Sequence, residues 1–333
     1  MTIYLERGIG RGAARVAWWL AGLVIVAGAA TAMAQDYPSK PIKIVLTYAP
    51  GGPSDFISRT VADRLSSRLG QPVVVEGRPG ANTRIGTEYA ARSPGDGYTI
   101  VFIGVPHATN PALFPSLPYD TLKDLTALVH LVNVPLLLVV PQASNLRNVQ
   151  DLVKLARDKP GEATVGTAGN GTGPHLALEL LGLVAGVSFT HIPYKGDAPA
   201  FTEAIAGRLA ASLNTLQAPL QQVKAGRLRP LGVASRERAA VLPDVPTFSE
   251  QGFPDVVVTT WFGFAVPSAT PREIVVRLNA EINAILAAED VRERFAGAGL
   301  VPMGGPPEQF DSLIRSEMRR WAEVIKTRGI RAD

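Results

Sequence analysis

The residues of this chain that could do chemistry lie in five short glycine-rich or polar stretches, not in a catalytic cluster. The first is A-P-G-G-P-S-D-F-I-S-R, residues 49–59, between a strand-like run and a helix-like one. Its two glycines let the backbone approach a bound group. Ser54 or Asp55 is expected to cap the following helix, whose free N–H groups favour an anion. The others are R-P-G-A-N-T-R-I-G (78–86), G-V-P-H-A-T-N (104–110), A-G-N-G-T-G-P-H (168–175) and Y-K-G-D-A-P (194–199). One turn glycine commonly serves only backbone geometry. Five such loops at the expected carboxyl ends of strands point to a cleft lined by backbone N–H groups and small hydroxyls, where open α/β sheets bind ligands. That lining suits a carboxylate better than a phosphate ester that needs a metal.

Several chemistries are excluded or disfavoured. The fourth stretch is spaced G-x-G-x-G, not as the dinucleotide fingerprint, and no Gly-Lys-Ser/Thr follows the first. With no cysteine there is no disulfide framework, thiolate nucleophile or thiolate metal site. The sequence has neither a G-x-S-x-G elbow nor an H-E-x-x-H pair. Its histidines, His107, His130, His175 and His191, show no ligand spacing. His130 and His191 fall in apolar strand-like runs and read as structural. His107 and His175 stand at ligand loops and are candidates to touch a ligand. Nothing selects a triad such as Ser54–His175–Asp197. The expectation is a binding protein and not an enzyme, with no cofactor and no metal.

The elements that must position these loops alternate along the chain. Strands are expected at residues 42–48, 73–76, 98–103, 136–140, 163–167, 188–193, 209–213, 231–234 and 256–267. Helices are expected at 54–69, 87–92, 148–159, 174–183, 198–206, from 270, and at 307–327. Thr270, Pro271 and Glu273 read as a capping box, with Ile274, Leu278, Ile282 and Ile285 as the buried stripe. Phe310, Ile314, Met318, Trp321 and Ile325 are the expected stripe of the last helix, and Trp261 and Phe262 read as core. Such alternation implies an α/β fold with parallel-rich sheets. No Gly/Ser linker separates two halves. Domain 1 is therefore assigned to 35–135 and 256–333 and domain 2 to 136–255, with crossing strands near 136–140 and 256–265.

Residues 1–34 read as an export leader. Arg7, Arg11 and Arg15 precede an apolar run at 16–30, followed by the small-residue site A-M-A. Fifteen apolar residues are short of the ~20 that span a bilayer. The mature chain is expected to begin near Gln35, after Ala34, in the periplasm. It is not a lipoprotein, since the cut carries no cysteine. The formal charge of the whole chain is only +4, and the basic residues form no run, so no nucleic-acid partner is expected.

The residues also carry a resemblance. Y-P-S-K-P-I-K-I-V followed by P-G-G-P-S-D resembles the opening of Bug-type receptors, the periplasmic solute-binding proteins of tripartite tricarboxylate transporters. R-P-G-A, I-G-T-E, D-G-Y-T, L-P-Y-D, Y-K-G-D-A-P-A, L-P-D-V-P-T and W-F-G follow in the family's order, from about residue 37 to 326. The resemblance implies a two-lobed Venus-flytrap (type II periplasmic-binding-protein) fold that closes on a small organic anion, a mono- or dicarboxylate. It also implies integral-membrane transporter subunits as partners, and a monomer is expected. One carboxylate would be held by Pro50, Gly51, Gly52, Pro53, Ser54 and Asp55 with Ala81, Asn82 and Thr83. The rest of the ligand would be chosen by Ala168, Gly169, Asn170, Gly171, Thr172, His175, Lys195, Gly196 and Asp197. The chain departs from the family where Asn82 and Thr83 replace glycines and Arg84 an asparagine. Asn214 lies in a stretch where the family often carries aspartates. A reshaped loop and a more anionic ligand, with Arg84 as an added cation, are what these departures suggest. Two other readings compete: a receptor that signals to a membrane sensor, and a secreted α/β enzyme.

Overall fold

In a computed structural model that describes residues 37–331, the first elements are β1 (Ile42–Leu46), α1 (Pro53–Leu69), β2 (Val73–Gly77), α2 (Arg84–Ala91), β3 (Thr99–Gly104) and α3 (Val105–Leu113). The export leader and its cut lie outside the described residues. The chain from Lys40 onward forms one compact unit. β1 pairs in parallel with β2 and with β3, so the chain leaves all three strands at one edge. β1 and β3 are short, apolar and almost wholly buried, as central parallel strands are. The region of α3, expected as a loop, is a helix despite Pro106 and Pro111.

β4 (Leu125–Pro141) runs 17 residues and joins two halves of one sheet. Its first part pairs antiparallel with β9 (Thr259–Pro267), from Leu125↔Pro267 to Pro135↔Thr259. Its second part, from Leu136, lies between β7 (Ala211–Thr215) and β8 (Leu228–Val233). The return crossing is as abrupt. Val258 N–H still donates to Ala234 of the second half at 2.7 Å, and Thr259 already pairs in the first. One crossing is thus the continuous strand β4. The other, expected as a strand over 256–265, is irregular at 256–258 and becomes a strand only at Thr259, inside the first half.

The second half also holds α4 (Val149–Asp158), β5 (Thr164–Thr167), α5 (Gly173–Ala185), β6 (Thr190–Pro193), α6 (Asp197–Ile205) and α7 (Leu220–Lys224). β5 pairs in parallel with β6 and β7, so their following loops again share one edge. The chain ends with α8 (Arg272–Ala287), α9 (Glu289–Gly297), β10 (Val301–Pro302) and α10 (Pro307–Arg328); α9 and β10 had no counterpart among the expected elements.

Two local readings need correction. The capping box at 270–273 does not form. Pro271 is the N-cap residue of α8, no side chain bonds its first turn, and the Thr270 hydroxyl is buried without a partner. Ile274 is only half-buried, and Val275 takes its place in the stripe. In α10 the buried residue is Glu317, not Met318. Two indoles decide this: Trp321 Nε1–H and Trp261 Nε1–H donate to Glu317 Oε2 at 2.6 and 3.3 Å. Buried N–H groups need an acceptor, which a thioether supplies poorly.

Candidate functional site

Two loops of the first lobe emerge where β1 and β2 end, and β3 passes directly into α3. After β1, Gly51 takes φ +85° and Gly52 is the N-cap of α1, with Pro53 in the first turn. The expected cap by Ser54 or Asp55 is absent. Asp55 folds back instead. Its Oδ2 accepts the Gly51 N–H at 3.1 Å, and its Oδ1 accepts from Arg59 Nε at 2.8 Å. Ser54 is buried and Pro50 exposed. The N–H groups of Gly52 and Ser54 have no partner among the described residues, and they stand at the positive end of a 17-residue helix.

After β2 the backbone does something unusual. Ala81, Asn82 and Thr83 have φ of 46°, 52° and 70°, three consecutive non-glycine residues in the left-handed region. Their carbonyls are all engaged. Ala81 O accepts from Arg84 N and Nε at 3.2 and 3.1 Å. Asn82 O accepts from Asn110 Nδ2 at 2.9 Å. Thr83 O accepts from Thr87 N and Oγ1 at 3.1 and 2.9 Å. The three N–H groups of the same turn have no partner among the described residues. Successive free N–H groups in such a turn form a concavity that binds anions. The chain therefore keeps a glycine-like path without the glycines. Asn82 Nδ2 closes the clamp by donating to Asn110 Oδ1 at 2.7 Å. The Arg84 guanidinium lies 3.8 Å over the Phe114 ring.

Asn110 sits on α3, one residue after Thr109, whose hydroxyl donates to Gly171 O at 3.0 Å. α3 thus links the turn at 81–83 to the loop after β5. His107, also on α3, is buried, with a backbone bond to Thr121 and no partner for Nδ1. Burial lowers its pKa to about 4.

In the loop after β5, Gly169 and Gly171 have φ of +130° and +68°, and Thr172 Oγ1 donates to Gly169 O at 2.7 Å. Gly171 N–H donates to His175 Nδ1 at 3.0 Å. The other His175 nitrogen faces Glu179 Oε1 at 3.6 Å, and Arg328 Nε donates to Glu179 Oε2 at 2.7 Å. His175 also stacks on His191, centroids 3.8 Å apart. Both nitrogens of His175 face groups of the protein itself. Burial, then the nearby His175, lower the His191 pKa to about 3. Gly196 N–H donates to Ala168 O at 3.1 Å, which joins the loops after β5 and β6. Asn170 is half-buried and Lys195 exposed.

Asp197 opens α6 and reaches the end of β7: Thr215 N and Oγ1 donate to its carboxylate at 3.2 and 2.6 Å. Next to Thr215, Asn214 is fully buried. Its Oδ1 accepts from Ser212 at 3.1 Å and its Nδ2 has no partner. Burial pushes the Asp197 pKa from 3.8 up to about 6, against the two Thr215 bonds that lower it. A folded-state value above the unfolded one adds stability at low pH, which is lost as pH rises through about 6. The buried histidines, lowered from 6.5, act in the opposite sense. The Tm of Asp197→Asn minus that of the parent should therefore climb between pH 4 and 6 and level off above, as read by calorimetry across pH. A flat difference would mean that the carboxyl titrates normally.

Sequence reasoning found the loops but missed Thr109 and Asn110 as their connectors. Both lie inside a stretch read as one more loop, and only the helix brings them to residues 171 and 82. Among the described residues no three His, Asp or Glu side chains are arranged to hold a metal.

Comparison with known proteins agrees with this architecture. Residues 57–330 match the tripartite tricarboxylate transporter family receptor. BugT of Bordetella pertussis is 37% identical over 303 residues, 90% of this chain and 93% of BugT. A protein from R. palustris solved with adipate superposes with a TM-score of 0.85 at 34% identity, covering 89% of this chain and 99% of that one. MatC from Rhodopseudomonas palustris, solved with bound malate, gives 0.80 at 28% identity, covering 87% of this chain and 100% of that one.

Proposed function

We propose that this chain, which belongs to the tripartite tricarboxylate transporter receptor family, captures a small carboxylate between its lobes in the periplasm and delivers it to integral-membrane transporter subunits. The observation that carries the ligand class is the turn at 81–83, with three carbonyls engaged and three N–H groups free. An array of N–H donors with no metal site beside it suits a carboxylate. Relatives solved with adipate and with malate hold dicarboxylates, and Arg84, stacked beside the turn, supplies a cation for a second carboxylate. The lobes on this reading are 35–135 with 256–333, and 136–255. The leader at 1–34 accounts for export.

Purified mature chain should bind stoichiometrically, without turnover. At 100 times its dissociation constant a true ligand adds ~2.7 kcal/mol to stability. A thermal-shift screen against adipate, malate and monocarboxylates should show that gain for dicarboxylates first. Absence of any shift across the acids would sink the carboxylate reading, and mass spectrometry of the recovered ligand would reveal turnover.

A further inference from the structure

Tyr48 stands two residues beyond the end of β1, directly before the loop 49–55. Its ring meets Phe102 and Phe262 edge-on, with centroids 5.9 and 5.6 Å away. Its hydroxyl crosses to Gly104, where β3 gives way to α3. A Cβ placed on Gly104 would lie 2.5 Å from the Tyr48 oxygen. Residue 104 thus lacks a side chain where this hydroxyl needs room. Yet the hydroxyl is buried and has no hydrogen-bond partner. Burial raises its pKa well above that of an ordinary phenol, so it is a donor at any working pH.

A buried hydroxyl without a partner destabilises the chain that carries it. Phenylalanine would fill the same aromatic cluster without that cost. The position resolves the difficulty. β1 and β3 are parallel neighbours, and the hydroxyl reaches across to the carboxyl end of β3, at Gly104 beside Phe262 of β9, where α3 begins. That is where an open α/β sheet receives its ligand. We propose that the Tyr48 hydroxyl donates to a carboxylate oxygen of the bound anion, as a ligand-binding residue at the floor of the first lobe. The proposal rests on the carboxylate reading above.

The test is Tyr48→Phe, which removes one oxygen and keeps the ring. Calorimetric titration with adipate and with malate should show affinity lowered about 10-fold, the loss of one hydrogen bond to a charged group. The Tm of the ligand-free variant should stay level or rise, because no partner is lost. Unchanged affinity in the variant overturns the proposal. So does a fall in ligand-free Tm, which would give the hydroxyl a structural partner in the empty protein. If the parent binds no carboxylate in the screen above, the carboxylate reading fails and the proposal with it. If both chains bind equally well, only the role of Tyr48 falls.

Discussion

Gly171→Ala is expected to weaken carboxylate binding about 30-fold or more, while leaving a folded chain. A Cβ at this position would lie 2.1 Å from Leu113 Cδ1, a distance no real Cβ contact shows, and residue 171 has φ +68°. Leu113 cannot retreat freely, because it is buried in the core shared with α3. Overpacking of this kind costs about 1–3 kcal/mol, and the left-handed backbone adds roughly 1 kcal/mol for alanine. The strain is best relieved by moving the loop. Moving it breaks the Thr109 bond to Gly171 O and the Gly171 bond to His175. About 2 kcal/mol taken from the binding-competent arrangement is the 30-fold loss. Titration calorimetry reads it, and far-UV dichroism should show native helix content. Parental affinity would mean that the loop 168–172 does not shape the cleft. Pairing the variant with Leu113→Ala makes room for the Cβ and should restore part of the loss, which separates the clash from the backbone strain.

The loops after β1, β2, β5 and β6 were legible in the sequence because each joins a short strand to a helix and is marked by glycine or proline, whereas the stretch 104–110 is the helix α3. The same logic located β1, β3 and the helices around them. It failed where tertiary pairing overrides local pattern. Only residues 136–140 of β4 were assigned as a strand, although the run around His130 is also strand-like. Asn133 and Pro135 interrupt that run, but β9 pairs along it to Pro135 and buries it. T-P-R-E looked like a cap, yet the chain enters α8 with the Thr270 hydroxyl buried and unbonded. Glu317 could not be told from Met318 by spacing. Its burial follows from two indole N–H groups, one of them 56 residues away in sequence. The turn at 81–83 is the sharpest case. Alanine, asparagine and threonine do not signal three left-handed residues. What holds them there is a side chain 28 positions further on.

That side chain makes the second large prediction. Asn110→Ala should lower carboxylate affinity by roughly 30-fold, close to the effect at Gly171. Asn110 is fully buried and makes two hydrogen bonds to Asn82, one to its backbone carbonyl and one from its side chain. At about 0.5–1.5 kcal/mol each, the pair offsets a good part of the strain of three left-handed residues, roughly 1 kcal/mol or more apiece. Without the clamp the turn is free to relax toward φ < 0, and the three N–H groups then no longer converge. The loss should therefore appear in binding more than in the global Tm, since the turn is short and half exposed. Glycine visits the left-handed region without penalty, so Asn110→Ala combined with Asn82→Gly should recover much of the lost affinity although Asn82 is itself altered. A role for Asn110 in packing alone predicts no such recovery. A double variant that binds as weakly as Asn110→Ala would place the effect in α3 and not in the turn. Recovery would show that this chain replaces the flexibility of glycine with a clamp from a neighbouring helix, and that the geometry of the free N–H groups, not the identity of residues 81–83, is what the anion requires.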